Sequence, residues 1–418
     1  MEALNACWEA FKAQDYDGRI ALFTETLDDA ELMDDEMAFE MLNTLYSQAL
    51  EQDQRDRFDC LVVTLQTRLP EVYASRSHYY LHWRILNALV MGRFDAVPSL
   101  VRDLATTAKH DIDILNNVID ALAYHGQLSL IVDAMHLAWP WVQEPGNVVP
   151  WGIDEFSSQA AHFILLEYST HHATPDPEDS ALGEQVEFYC PYNPEGVQRF
   201  LAHLTGQAGS SWTMDDFTFQ RRQPSRRDWF DDLDDEDEED EPPQTPSDSA
   251  RRNLFDLSVA FLGYLYRDEN VSLSKGELAR RQLVEYILER FDGQLEPRES
   301  PLNTIRRPKK RRPKPKRRQP DHVLCPDYDT LDRFLAQRMD FINPQWYKTA
   351  ATFELLPTWL RFLESCGLID IEQHNKSYRD IGKLVPSLHR IWDRHREDPS
   401  LLRGLQVCWE QVENSTLT

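Results

Sequence analysis

Apolar residues recur at helical spacing along most of the chain, and they do so most plainly between Tyr79 and Leu137. Leu81, Ile85, Ala88 and Leu89 share one helical face, and Val97, Leu100, Val101 and Leu104 share the next. The alternation returns with Leu115, Ile119 and Leu122, then with Leu130, Ile131, Ala134 and Met135. In each pair the first helix runs down to a glycine, Gly92 or Gly126, which closes a helix in the left-handed conformation without a Cβ penalty. Two helical hairpins in series are therefore predicted. A hairpin this short cannot bury its apolar stripe alone, whereas stacking on the next one covers it.

The pattern continues in both directions. Upstream it predicts a helix over 2–13 with Leu4, Cys7, Trp8 and Phe11 inward, a turn at Asp15–Gly18, and a return helix through Ile20, Leu22, Phe23 and Leu27. A longer helix over 34–52 carries Met37, Met41, Leu42, Leu45, Tyr46 and Ala49. Its return over 55–68 carries Phe58, Leu61, Val62 and Leu65 and is stopped by Pro70. Downstream, Trp139-Pro140-Trp141 should end the fourth pair. A helix over 153–171, a proline- and acid-rich stretch over 173–193 and a short helix from Pro194 to Leu204 follow, as a degenerate fifth repeat or a cap.

Beyond Gly206 the periodicity dissolves and returns at Ala250. One helix carries Leu254, Leu257, Phe261, Leu262 and Leu265. A second carries Leu278, Leu283, Ile287 and Phe291, with Ser274 and Glu277 placed as a capping box. From about 322 to 414 four more helices are expected. They are led by Leu331, Phe334, Leu335 and Met339; by Trp346, Phe353, Leu356, Leu360 and Leu363; by Ile381, Leu384, Leu388 and Ile391; and by Leu401, Leu405, Val407, Cys408 and Val412. Pro357 should kink or break the second of these.

The hairpin steps align as QDYDGRIALF, RDRFDCLVVTL, MGRFDAVPSLV and HGQLSLIVDAM, with Tyr16, Phe58, Phe94 and Leu128 in the equivalent position, about 42, 36 and 34 residues apart. This resembles the tetratricopeptide repeat, in which an aromatic opens the second helix just after the turn. The resemblance covers roughly the first third of the chain. It departs from the family where a small alanine is favoured three residues after the aromatic, since Arg19, Leu61, Val97 and Ile131 stand there, and the tryptophan-leucine-glycine signature of the first helix is absent. It implies stacked antiparallel hairpins with a groove for a protein or peptide partner.

The fold class expected is thus all-α: a tetratricopeptide-like solenoid over 1–205, a helical hairpin over 250–295 and a C-terminal helical bundle over 322–414. Two linkers expected to be disordered join them, an acidic one over 206–249 and a basic, proline-rich one over 296–321. The scarcity of glycine, 15 residues in 418, favours helices. A net charge of -27 argues for solubility and against blanket attraction to nucleic acid or an anionic membrane. Cys7, Cys60, Cys190, Cys325, Cys366 and Cys408 are scattered with no CxxC, which disfavours a disulfide framework or zinc finger and favours a reducing compartment. The N-terminus MEALNACWEAF lacks the basic residues of a signal peptide, and no apolar run approaches the roughly 18 residues of a membrane span. A cytoplasmic protein is expected, or a nuclear one in a nucleated cell.

Catalytic signatures are sparse. His78 and His82 have the i, i+4 spacing that lets two imidazoles share a metal, but no glutamate lies between them, and aromatic packing with exposed imidazole tips is the plainer account. His171-His172 rates no higher. There is no glycine-rich phosphate loop and no GxSxG, so no catalytic residue, metal or cofactor is assigned. The sharpest local signal is basic: Arg306, Arg307, Lys309, Lys310, Arg311, Arg312, Lys314, Lys316, Arg317 and Arg318 concentrate about ten positive charges. No aromatics interleave them, so contact with a polyanion would be blind to base sequence. The run from Asp228 to Glu241 carries about eleven negative charges, and the two could pair with one another. The sequence therefore points first to a non-enzymatic scaffold and second to a nucleic-acid-associated factor, with nucleic acid or an acidic protein on the basic run. An enzyme with its site between the helical blocks ranks third.

Overall fold

The computed structural model describes residues 2–29, 32–107, 111–172, 174–209, 211–219, 246–295, 322–339 and 344–415. Among the described residues every regular element is a helix, apart from one isolated bridge between Pro145 and Val148. The acidic run 228–241 and the basic run 306–318 lie outside the described residues. No described helix is long and apolar enough to cross a membrane. The described residues gather into two compact units.

The first unit comprises Met1–Thr174, Glu178–Tyr192 and His389–Arg403. Its N-terminal helices are α1 (Glu2–Lys12), α2 (Tyr16–Thr26), α3 (Asp35–Glu51), α4 (Arg55–Arg68), α5 (Pro70–Ser75), α6 (Ser77–Val90), α7 (Val97–Thr107), α8 (Ile112–Tyr124), α9 (Leu128–Val142), α10 (Pro150–His171) and α11 (Ser180–Glu187). Their extensive contacts join helices one or two places apart: α3 meets α4 and α5, α6 meets α7 and α8, and α7 and α8 both meet α9. The apolar stripes read from the sequence are what they bury. Phe11, Phe23, Met41, Leu45, Phe58, Val62 and Leu65 form one core with Tyr46 and Trp83. There Tyr46 lies 5.0 Å from Phe58 and 5.1 Å from Trp83, ring centre to ring centre.

Gly92 and Gly126 take positive φ of 68° and 77°. The amides that follow them reach back across the helix end, Arg93 N–H to Ala88 O at 2.8 Å and Gln127 N–H to Leu122 O at 2.9 Å, as the closing glycines predict. The repeated aromatic behaves less regularly. Tyr16 and Phe58 are buried inside their helices, but Phe94 is 45% exposed and stands in the turn, because α7 starts only at Val97. Pro98 accounts for the delay: lacking an N–H, proline sits in a first turn, so the helix opens beside it. Pro70 and Pro150 likewise open helices, whereas Pro140 lies inside α9 and the helix ends two residues later, at Val142. Helix α11 falls in the proline- and acid-rich stretch over 173–193, capped by Asp179, whose side chain accepts from Ala181 N–H.

The second unit comprises Pro175–Pro177, Asn193–Leu388 and Gly404–Thr418. Its helices include α12 (Pro194–Thr205), α13 (Pro246–Arg267), α14 (Leu273–Phe291), α15 (Tyr328–Arg338), α16 (Trp346–Ser365) and α17 (Ile371–Ile381); α18 (Val385–Arg394) and α19 (Ser400–Ser415) are divided between the two units. α12, expected as a repeat or cap, packs along α13 in this unit. A Cβ at Gly263 would fall onto the carbonyl of Leu204, and Arg267 donates to the same carbonyl, so the two helices meet backbone to backbone. Part of the expected acidic linker is ordered here, with Phe217 fully buried and Phe219 stacked 4.2 Å from Phe291.

The cap of α14 is Ser272, whose hydroxyl accepts from Lys275 N–H, and not Ser274, which is buried inside the helix. Glu277 pairs with Arg280 at 2.6 Å instead of reaching a cap. The helix expected through Ile381 and Ile391 is two helices, α17 and α18, joined by a 3-10 turn at Gly382–Leu384, and Ile391 is 37% exposed.

α16 is buried almost all round and runs through Pro357 without a break. Pro357 has no N–H to give Phe353 O four residues earlier. Trp409 supplies the missing donor, its Nε1–H reaching that carbonyl at 3.1 Å.

Candidate functional site

A buried polar cluster of the first unit lies where the non-helical stretch His395–Pro399, between α18 and α19, meets the start of α4 and the end of α8. Arg55 opens α4 and is only 4% exposed. Its Nη1 donates to Asn87 Oδ1 at 2.9 Å and its Nη2 to the Arg396 carbonyl at 2.5 Å. Asn87, on the last turn of α6 and fully buried, turns its amide nitrogen to Asp59 Oδ1 at 2.9 Å. Its two ends thus match a cation on one side and an anion on the other. Arg93 closes the row, paired with Asp56 and 3.7 Å from Asp59.

At the far end of the cluster His125, the residue after α8, has its Nε2 2.7 Å from Asp398 Oδ2. Asp398 is 1% exposed, and its Oδ1 accepts from Ser400 N–H at 2.8 Å, so it also starts α19. The Tyr124 hydroxyl donates to the Ser400 carbonyl at 3.4 Å.

Burial and charge set the protonation states. Burial pushes Asp398 up, but the hydrogen bond and charge of His125 and the Ser400 hydrogen bonds outweigh it, holding the carboxyl down at about 2. Burial raises Glu397 above the usual carboxylate range, opposed by Arg55. Burial also holds His395 down at about 4. Asp59 is raised by burial, against the pull of Asn87, Arg84 and Arg55. The site grips peptide groups: it offers one guanidinium N–H to a main-chain carbonyl, an imidazole to a carboxylate and a phenol to a second carbonyl.

None of these residues stood out in the sequence. A signal was present, however, because Arg55 and His125 each lie three residues before the hairpin-step position held by Phe58 and Leu128. Asp398-Pro399-Ser400 also carries the composition of a turn opening a helix. The residues that did stand out are placed as follows. His78 is buried, so its tip is not exposed as expected, and its ring lies tilted 4.3 Å from that of Tyr79. Burial holds the neighbouring His82 at about 4. Among the described residues no group of three or more His, Cys, Asp or Glu gathers as a metal would need. Arg306, Arg307, Lys309, Lys310, Arg311, Arg312, Lys314, Lys316, Arg317 and Arg318 lie outside the described residues.

The second unit has buried ion pairs of its own. Arg280 meets Glu277 in a two-point pair, at 2.6 and 2.7 Å, and donates to Ser258 at 3.1 Å. Lys275 meets Glu354 at 2.5 Å, and Arg290 joins Asp327 at 2.9 Å to the Cys325 carbonyl at 2.6 Å. Comparison with known proteins finds no family model, curated protein or solved structure that matches this chain.

Proposed function

We propose that the protein is a non-enzymatic protein–protein interaction scaffold, whose N-terminal hairpins stack as a tetratricopeptide-like array that holds a peptide segment. One observation carries this reading. Residues from two of the hairpins, Arg55 on one and the Tyr124–His125 pair on another, converge on the segment 396–400 and take two main-chain carbonyls and one carboxylate, with Asn87 of the hairpin between them bonded to Arg55. Rows of helical hairpins suit that task, since each repeat can offer a side chain to the next part of a bound segment. The order of helix neighbours, one or two places apart along the chain, supports the stacking.

The test is affinity capture from lysate of the source organism with the wild-type chain and with an Arg55→Gln/His125→Gln chain. The reading expects a reproducible partner whose recovery drops several-fold with the variant. Equal recovery from both chains, or no reproducible partner, would overturn it.

A second reading rests on the basic run. Arg306 to Arg318 would make the protein a nucleic-acid-associated factor through sequence-blind phosphate contacts, with arginine forks taking phosphate oxygens.

A further inference from the structure

We draw no further inference here: the strongest candidate, the corner of the second unit at the end of α14, where Phe219 stacks 4.2 Å from Phe291 and Arg251 meets Asp292 at 3.3 Å and near which the stretches holding the acidic run 228–241 and the basic run 306–318 both begin, carries nothing because the two runs lie outside the described residues and nothing in the structure shows what either of them meets.

Discussion

Truncating Asn87 should damage the first unit far more than its size suggests. Its side chain is fully buried and bonds two ionic groups, accepting from Arg55 at 2.9 Å and donating to Asp59 at 2.9 Å. Hydrogen bonds to charged groups contribute roughly 1.5–3 kcal/mol each, and a buried ionic group that loses its partner keeps its desolvation cost. Asn87→Ala removes both bonds at once, so we expect a loss of about 3–5 kcal/mol. The assay is urea unfolding followed by circular dichroism, with the transition of the first unit assigned by hydrogen exchange of the α6 amides, since a chain of two units need not unfold in one step. A double-mutant cycle adds the mechanism. In the Asp59→Asn background the Asn87→Ala loss should shrink by about 1–2 kcal/mol, because the acceptor it abandons is no longer charged. A loss below about 1 kcal/mol, or strict additivity in the cycle, would mean that the cluster is incidental to the fold and would refute the reasoning.

Three other predictions concern different parts of the chain. Trp409→Phe leaves the Phe353 carbonyl without its donor and should cost roughly 1–3 kcal/mol in urea unfolding, whereas Pro357→Ala restores a backbone N–H to that carbonyl and should recover part of the loss; equal costs in both backgrounds would contradict the substitution of one donor for another. Burial holds His82 and His395 at about 4, below the usual 6.5, so the unfolded chain binds more protons between pH 6.5 and 4 and stability should fall as pH drops through that window. Asp398, held at about 2, adds a further loss as pH falls from 3.8 to 2; melts at pH 7, 5.5 and 4.5 should show the first decline, His82→Gln should flatten it, and a level melting temperature would contradict it. Replacing the ten basic residues from Arg306 to Arg318 by glutamine should flatten the salt dependence of duplex binding by about 0.9 in log–log slope for each phosphate no longer neutralised, and an unchanged slope would remove the nucleic-acid reading.

The helices were legible because their apolar positions repeat with a period that only a helix satisfies, and because Gly92 and Gly126 mark their ends by conformational need. Where the structure departs from that pattern, either a tertiary partner or a stronger local signal overrides the expected one. Pro357 reads as a breaker until Trp409, 52 residues on, supplies the donor it lacks. Ser274 and Glu277 have the spacing of a capping box, but Ser272 caps the helix and Arg280 claims the glutamate. Phe94 matches Tyr16 and Phe58 in alignment, yet Pro98 delays its helix and leaves the ring in the turn.

The candidate site was harder to see for a related reason. Arg55, Asn87 and His125 look like ordinary polar residues until the fold brings Asp398 beside them, 273 residues beyond His125. No periodicity in one chain reports a pairing at that range. The shared register of Arg55 and His125, three residues before the hairpin-step position, was the one trace of it in the sequence.

Arg55 and His125, from two of the N-terminal hairpins, hold the stretch before α19. Hydrogen exchange measured by mass spectrometry on the wild-type and the Arg55→Gln/His125→Gln chains tests this most directly. The account predicts that amides 395–401 lose at least tenfold protection in the variant while those of α3 and α4 keep theirs. Unchanged protection at 395–401 would contradict it.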